Sequence, residues 1–242
     1  LKSKKIVQEI VAAGEVGPED IILEVGPGKG ILTEVLLQKA KKVIAVEKDE
    51  KLAEFLKEKF ATEINNGKLK IIFGDILQSQ ISNLKSKKFK YKIIANIPYY
   101  ITSRFLRTFL ESDFQPSMMV LMVQKEVAER IVGIKESLLS ISVKSYGRPE
   151  IIRKVPAGYF SPAPKVDSAV IKISGISKDF FQNINENKFF ETVKKGFSQK
   201  RKMLINNLKA NKEIFRACNI GEKARAEEVS LEQWKCLTFW MT

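Results

Sequence analysis

The chain has 242 residues, 44% hydrophobic and 29% charged, enough for one large globular domain or one domain with a small appendage. It contains no histidine, which excludes Ser-His-Asp and Cys-His nucleophiles, histidine-based zinc sites and an imidazole general base, and no metal is expected. The net charge of +14 points to a polyanionic partner, because phosphate contacts supply most non-specific affinity for nucleic acids.

In chain order, residues Ser3 to Ala13 pattern as a helix. Strands near 21–25, 43–46, 69–73, 91–95 and 117–123 then alternate with helices near 29–39, 49–60, 102–110 and 124–132. Such alternation implies a parallel sheet in an α/β fold. The three methionines Met118, Met119 and Met122 belong to strand core. Two β-patterned segments follow, Glu150 to Val155 and Val166 to Ile173, joined by the proline-rich connection Pro156 to Pro164, and they read as an antiparallel hairpin ending the sheet. Past Gly175 the strand signal stops. The remainder is helix-patterned, with Trp234 and Trp240 as packing residues on a last helix from Leu231 to Trp240 capped by Ser230. The expected division is a sheet domain over 1–175 and a small all-α domain over 176–242. Cys218 and Cys236 lack Cys-x-x-Cys spacing and are expected reduced and partly buried. No run approaches the roughly 18 apolar residues of a membrane span. The start Leu1-Lys2-Ser3-Lys4-Lys5 lacks a signal-peptide apolar region, so the expectation is a cytoplasmic monomer without a membrane partner.

Chemistry concentrates at four strand ends. Ile21 to Val25 runs into Gly26-Pro27-Gly28-Lys29-Gly30 and then a helix, a turn that lets a nucleoside-like ligand approach the backbone closely. The second strand ends in Glu47, 21 positions after Gly26, the distance at which an acid reaches ribose hydroxyls. The third runs into Gly74-Asp75, where the acid serves the ligand or simply closes a turn. A dinucleotide fingerprint wants Gly-x-Gly-x-x-Gly, but position 31 is Ile and Pro27 removes a backbone donor, so a pyrophosphate is disfavoured. Glu24, just ahead of the turn, would repel phosphate and attract a cationic ligand, or else accept from the backbone amides of the glycine loop.

The fourth strand delivers Asn96-Ile97-Pro98-Tyr99. The Asn96 amide oxygen and the Pro98 carbonyl can accept from the exocyclic amine of a planar amino-purine, with Tyr99 stacked on its ring. A plain turn after a strand is the other reading of the same residues. Between Thr192 and Lys212 lie seven basic residues and no acid: Lys194, Lys195, Lys200, Arg201, Lys202, Lys209 and Lys212. With Phe190, Phe197, Met203, Leu204 and Leu208 as an apolar stripe, they read as basic helices that contact RNA or as a lysine-rich solvated face. The run Lys85 to Lys92 reads as a solvated loop before the fourth strand.

The pattern Glu24-x-Gly26-x-Gly28-x-Gly30 resembles the cofactor loop of Rossmann-like S-adenosylmethionine-dependent methyltransferases. Taken with Glu47, Gly74-Asp75, Asn96-Ile97-Pro98-Tyr99, Gln124-Lys125-Glu126-Val127, the segment Phe160 to Val170, Phe197 to Lys202 and Ala224 to Glu228, it looks like the small-subunit (16S) rRNA adenine N6,N6-dimethyltransferases, the dimethyladenosine transferases. The likeness runs through essentially the whole chain. The late segments look more like that group than like its antibiotic-resistance relatives acting on large-subunit rRNA, which share Asn-Ile-Pro-Tyr. A non-catalytic rRNA-binding assembly factor on the same fold is a second class, and a nicotinamide-dependent enzyme a third.

The resemblance implies a Rossmann-like class I methyltransferase sheet, mixed through its C-terminal hairpin, plus a small helical RNA-binding domain. It implies S-adenosylmethionine as cofactor and S-adenosylhomocysteine as product. The implied substrate is two adjacent adenosines in the 3′-terminal hairpin of small-subunit rRNA, in an assembling 30S-type subunit. By the same likeness Leu1 closes over the cofactor, and Gly26 lies at its methionine part with Glu24 and Gly28 in the same loop. Glu47 holds the ribose, Asp75 bonds the adenine amine, Asn96 bridges cofactor and target, and Phe160 stacks opposite Tyr99 unless it is core. Methyl transfer from a sulfonium suits a chain without histidine, because the leaving group needs no proton and in-line positioning is the main demand. Three departures from the family pattern stand out: the Gln-x-Phe-Leu arm begins here only at Leu1, the connection Ile131 to Glu136 is short, and Tyr100 stands where Asn is often found.

Overall fold

The computed structural model describes residues 3–78 and 90–241, so Leu1 and most of the basic run from Lys85 lie outside the described residues. The chain divides into two compact units, one formed by Leu1–Ala128 with Arg148–Ile176 and the other by Glu129–Gly147 with Ser177–Thr242. A single cut after residue 175 was expected; the 129–147 stretch instead groups with the helices that follow.

The first unit opens with α1 (Lys4–Ala13), whose N-cap Ser3 accepts from the Ile6 amide and whose buried face is Ile6, Val7, Ile10 and Val11. Then come β1 (Ile21–Val25), α2 (Ile31–Lys39), β2 (Lys42–Glu47), α3 (Glu50–Lys59), α4 (Ala61–Asn65) and β3 (Leu69–Phe73). The chain continues through β4 (Tyr91–Asn96), α5 (Thr102–Leu110), β5 (Met118–Gln124) and the start of α6 (Lys125–Val132). After α7 (Leu138–Lys144), it returns as β6 (Arg148–Val155) and β7 (Ser168–Ser174).

These strands form one seven-stranded sheet in the order β3-β2-β1-β4-β5-β7-β6. The five strands from β3 to β5 in that order pair in parallel, and β7 runs antiparallel to both β5 and β6. The central strands are largely apolar, as strands buried on both faces are: Ile22, Leu23, Ile93, Ile94, Val120 and Leu121 are fully buried. Each such side chain contributes about 1.5–3 kcal/mol of transfer free energy. The outermost strand, β6, alternates exposed and partly buried positions, as an edge strand does. Lys92, which the charge run placed in a loop and the strand pattern near 91–95 placed in the sheet, lies inside β4, where its ammonium donates to the Glu15 carbonyl at 2.7 Å and to Asp20 at 2.8 Å.

The second unit holds the end of α6 and all of α7, then α8 (Glu186–Gly196), α9 (Leu204–Leu208), α10 (Lys212–Ala217) and α11 (Leu231–Trp240), the last capped by Ser230 in a capping box with Gln233. Tyr146, from the early stretch, packs its ring against Phe181 and Phe190 with centroids 5.1 and 6.0 Å away and donates to Glu186 at 2.6 Å. Trp234 is fully buried, whereas Trp240 is 55% exposed and lies edge-on to Phe239, so only the first of the two tryptophans is packed as expected. Cys218 and Cys236 are joined by a disulfide with Cα atoms 5.6 Å apart, which corrects the expectation of free thiols. They lie 18 residues apart, one just past α10 and one within α11, and no local spacing motif announces the pair.

Close packing in this unit depends on Gly196 at the end of α8. A Cβ there would stand 2.2 Å from the Trp234 ring and 2.7 Å from Leu204. Gly196→Ala is therefore expected to destabilise the protein by about 1–3 kcal/mol through overpacking, read as a lowered urea midpoint. An unchanged midpoint would mean that Trp234 repacks freely.

Candidate active site

The order of the sheet fixes where a ligand can bind. From β1 the chain steps outward to β2 and β3, then crosses to the other side of β1 as β4, so the carboxyl ends of β1 and β4 flank a topological switch point. Gly26 leaves one of those strands and Asn96 ends the other. A Cβ on Gly26 would sit 3.4 Å from the Asn96 carbonyl oxygen, and φ there is +67°, which together reserve the position for glycine. At Gly28, φ is +59° and a Cβ would meet no atom within 4 Å, so the backbone is bare at that point of the loop.

Glu47, at the end of β2, is 7% exposed and organises the loop. Its Oε2 accepts from the Gly28 amide at 3.1 Å, and its Oε1 accepts from the amides of Lys48 at 2.8 Å and Asp49 at 3.0 Å. A carboxylate offers about four acceptor sites, so Oε2 retains capacity for a ligand hydroxyl. Asp75 follows β3. Its carboxylate accepts from the Leu77 amide at 2.9 Å and pairs with the Lys48 ammonium at 3.0 Å, and in that order these two hold its pKa below the ordinary range.

An open cleft lies along these strand ends. Gly26, Glu47, Asp75 and Pro98 of the expected residues form part of its wall, together with Lys48, Tyr100 and Ile101, which were not singled out as ligand contacts. Tyr100 is 79% exposed at this mouth. Asn96 is half-buried at the end of β4. Tyr99 is also half-buried, and its hydroxyl shares a 2.6 Å hydrogen bond with the hydroxyl of Ser168. Phe160 is 8% exposed and packs in the apolar cluster with Val155 and Val170, so the core alternative describes its position here.

Glu24 is not the acceptor for the amides of the glycine loop. It is 1% exposed, its Oε2 accepts from the Thr33 hydroxyl at 2.7 Å, and the amide acceptor for the glycine loop is Glu47 instead. Burial, opposed by the Thr33 bond, pushes the Glu24 pKa up to about 8, which leaves the group mostly neutral at pH 7 and removes the electrostatic pull on a cation. The folded state thus binds this proton more tightly than the unfolded chain. The stabilisation contributed by this one group is therefore greatest below the ordinary carboxyl range, falls as pH rises between about 4.5 and about 8, and then levels. Glu24→Gln keeps the acceptor for Thr33 without an ionisable group, so its stability from pH 5 to 9 should lack that decline, with a gain over the parent at pH 8.5 on the order of a few kcal/mol. Parallel urea-midpoint profiles for parent and variant would contradict this.

Away from the sheet, Lys194 and Lys195 occupy the last turn of α8, but Lys200, Arg201 and Lys202 lie in the turn between α8 and α9 rather than on a helix. All five side chains are exposed, and Gln199 to Lys202 border an open hollow. Of the stripe beneath them, Phe190, Leu204 and Leu208 are buried and Met203 is 38% exposed.

A family model described as "Ribosomal RNA adenine dimethylase" matches residues 1–241. The chain is 40% identical over 247 residues to the "Ribosomal RNA small subunit methyltransferase A" of Dehalococcoides mccartyi strain 195, covering 98% of this chain and 84% of that protein. Its structure is similar to that of a dimethyladenosine transferase from Plasmodium falciparum, with TM-score 0.84, 27% identity and 98% and 95% of the two chains covered. The fold is shared with the 23S rRNA methyltransferase ErmE at TM-score 0.79 and 24% identity, with 98% and 97% covered. Among the described residues no helix is long and apolar enough to cross a membrane. With a family match over residues 1–241 and a mixed Rossmann-like sheet, the chain belongs to the ribosomal RNA adenine dimethylase family.

Proposed function

We propose that the protein uses S-adenosylmethionine to place two methyl groups on N6 of each of two adjacent adenosines in the 3′-terminal hairpin of small-subunit rRNA, during assembly of a 30S-type subunit. The observation that carries this reading is the placement of the glycine loop and Asn96 on either side of the β1/β4 switch point.

The residues present fit the cofactor. Gly28 leaves a bare stretch of backbone, Glu47 keeps an acceptor for a ribose hydroxyl, and Asp75 presents a charged carboxylate for an adenine amine. When bound, S-adenosylmethionine would supply a methyl group on a sulfonium that departs as a neutral thioether. Asn96 and the Pro98 carbonyl accept from the target amine and turn its lone pair out of conjugation, and Tyr99 offers a stacking face. No residue of this set has to remove a proton during the transfer; the amine gives it to water afterwards. The assembly-factor alternative has no use for the arrangement of Glu47, Asp75 and Asn96. The fold shared with ErmE does not separate small- from large-subunit targets, whereas 40% identity to a protein named for the small subunit favours the former.

The direct test is mass spectrometry of small-subunit rRNA incubated with the protein and labelled cofactor. N6,N6-dimethyladenosine at two neighbouring positions is the expected product; label in large-subunit RNA alone, or none, would overturn the proposal. The exposed Lys200, Arg201 and Lys202 are assigned to phosphate contacts. Replacing all three by Ala should weaken RNA binding for every sequence alike and flatten the log–log salt dependence by about 2–3 units. An unaltered slope would remove that turn from the interface.

A further inference from the structure

Tyr99 and Ser168 are 69 residues apart in sequence, and their hydroxyls meet at 2.6 Å. Ser168 is fully buried at the first position of β7, and no feature of the sequence assigned it a role. Its place in the sheet is fixed from several directions. It pairs in register with Gln124 of β5 and with Val155 of β6. The preceding residue, Asp167, accepts from the Lys125 amide through its carbonyl at 3.0 Å and from the Ala157 amide through its carboxylate at 3.1 Å. The serine hydroxyl is thus a rigid post where two neighbouring strands and the β6–β7 connection converge.

Tyr99 has no such support from its own segment. It begins a single 3-10 turn between β4 and α5, held by the Thr102 hydroxyl, which donates to its carbonyl at 3.0 Å. A phenol oxygen lies on the long axis of its ring. A bond at that atom fixes where the ring points while leaving its face available for stacking. It also engages the one polar atom by which this tyrosine could act as a proton acceptor.

We propose that Ser168 is a positioning residue: by holding the Tyr99 hydroxyl it sets the stacking face against which the target adenine is aligned, and this alignment matters most for the second methyl transfer. The proposal rests on the stacking role given to Tyr99 above. An N6-monomethyl adenine has a bulkier amine that must still aim its lone pair at the donor, so a ring free to swing penalises that step more than the first.

Tyr99→Phe, Ser168→Ala and the double variant test this, with Tyr99→Ala as the control for the stacking role itself. Both single variants should lower kcat about tenfold and accumulate N6-monomethyladenosine, with S-adenosylhomocysteine affinity and melting temperature close to the parent. The double variant should be no worse than either single one, because both remove the same bond. Additive losses, or a parental ratio of mono- to dimethyl product in Tyr99→Phe, would overturn the proposal. Tyr99→Phe leaves the buried serine untouched and so carries the test even if Ser168→Ala fails to fold. Full activity in Tyr99→Ala would instead refute the stacking role, whereas an inactive Tyr99→Ala beside a parental Tyr99→Phe would refute only the part played by Ser168.

Discussion

Asn96→Ala is expected to remove methyl transfer, with a rate loss of about three orders of magnitude or more, while RNA affinity changes less than about twofold. The asymmetry follows from where the residue sits. Asn96 closes β4 in register with the buried Met122 of β5, so its backbone is set by the sheet and the substitution removes only the side-chain amide. That amide is neutral and contributes nothing to phosphate attraction, which a surplus of Lys and Arg supplies. In the function proposed above, what disappears is the acceptor that orients the target amine and turns its lone pair toward the donor. With no histidine in the chain, no imidazole stands by to take over. Single-turnover methylation of small-subunit RNA, measured beside RNA binding at matched salt, separates the two effects. Product at the parental rate would end the assignment, and a parallel collapse of RNA affinity would show the residue to be structural.

Glu47→Gln should weaken S-adenosylhomocysteine binding about 10- to 100-fold. Three backbone amides point at the two carboxylate oxygens: Gly28 at one, Lys48 and Asp49 at the other. A glutamine amide has one oxygen and one NH2 group, so in either orientation at least one backbone donor faces another donor. Leaving a buried donor unmatched costs about 1–3 kcal/mol, which corresponds to the expected change in affinity if the loop opens to relieve the clash. In the function proposed above, the charge-assisted bond to a ribose hydroxyl is lost as well. Calorimetric titration with S-adenosylhomocysteine reads the effect directly. A dissociation constant within twofold of the parent would mean that the glycine loop keeps its shape without Glu47.

The strands and the site differ in how openly the sequence displayed them. Strands β1 to β5 stood out because a sheet covered on both faces needs continuous apolar runs, such as Met119 to Val123, ended by glycine or polar residues. Gly26, Glu47, Asp75 and Asn96 stood out because each follows or ends such a run. Helix α7 did not: Ile141-Ser142-Val143 alternates with period two, and its start depends on a Ser137–Ser140 capping box without the usual acid or amide. The neutral state of Glu24 is set by burial under α2, which a one-dimensional pattern does not display. The Tyr99–Ser168 bond and the Cys218–Cys236 disulfide are contacts between distant positions, and single residues carry no mark of a partner 69 or 18 places away.

Residues 129–147 belong with the helical unit although β6 and β7 follow them in the chain. Within that unit the Glu136 amide donates to the Glu227 carbonyl at 2.8 Å, and Tyr146 donates to Glu186. A truncation after 176 would therefore strand Tyr146 and Glu136 without their mates. The helices cannot be transplanted as a terminal cassette, and exchange of this unit between related enzymes would have to carry two separate stretches of gene at once.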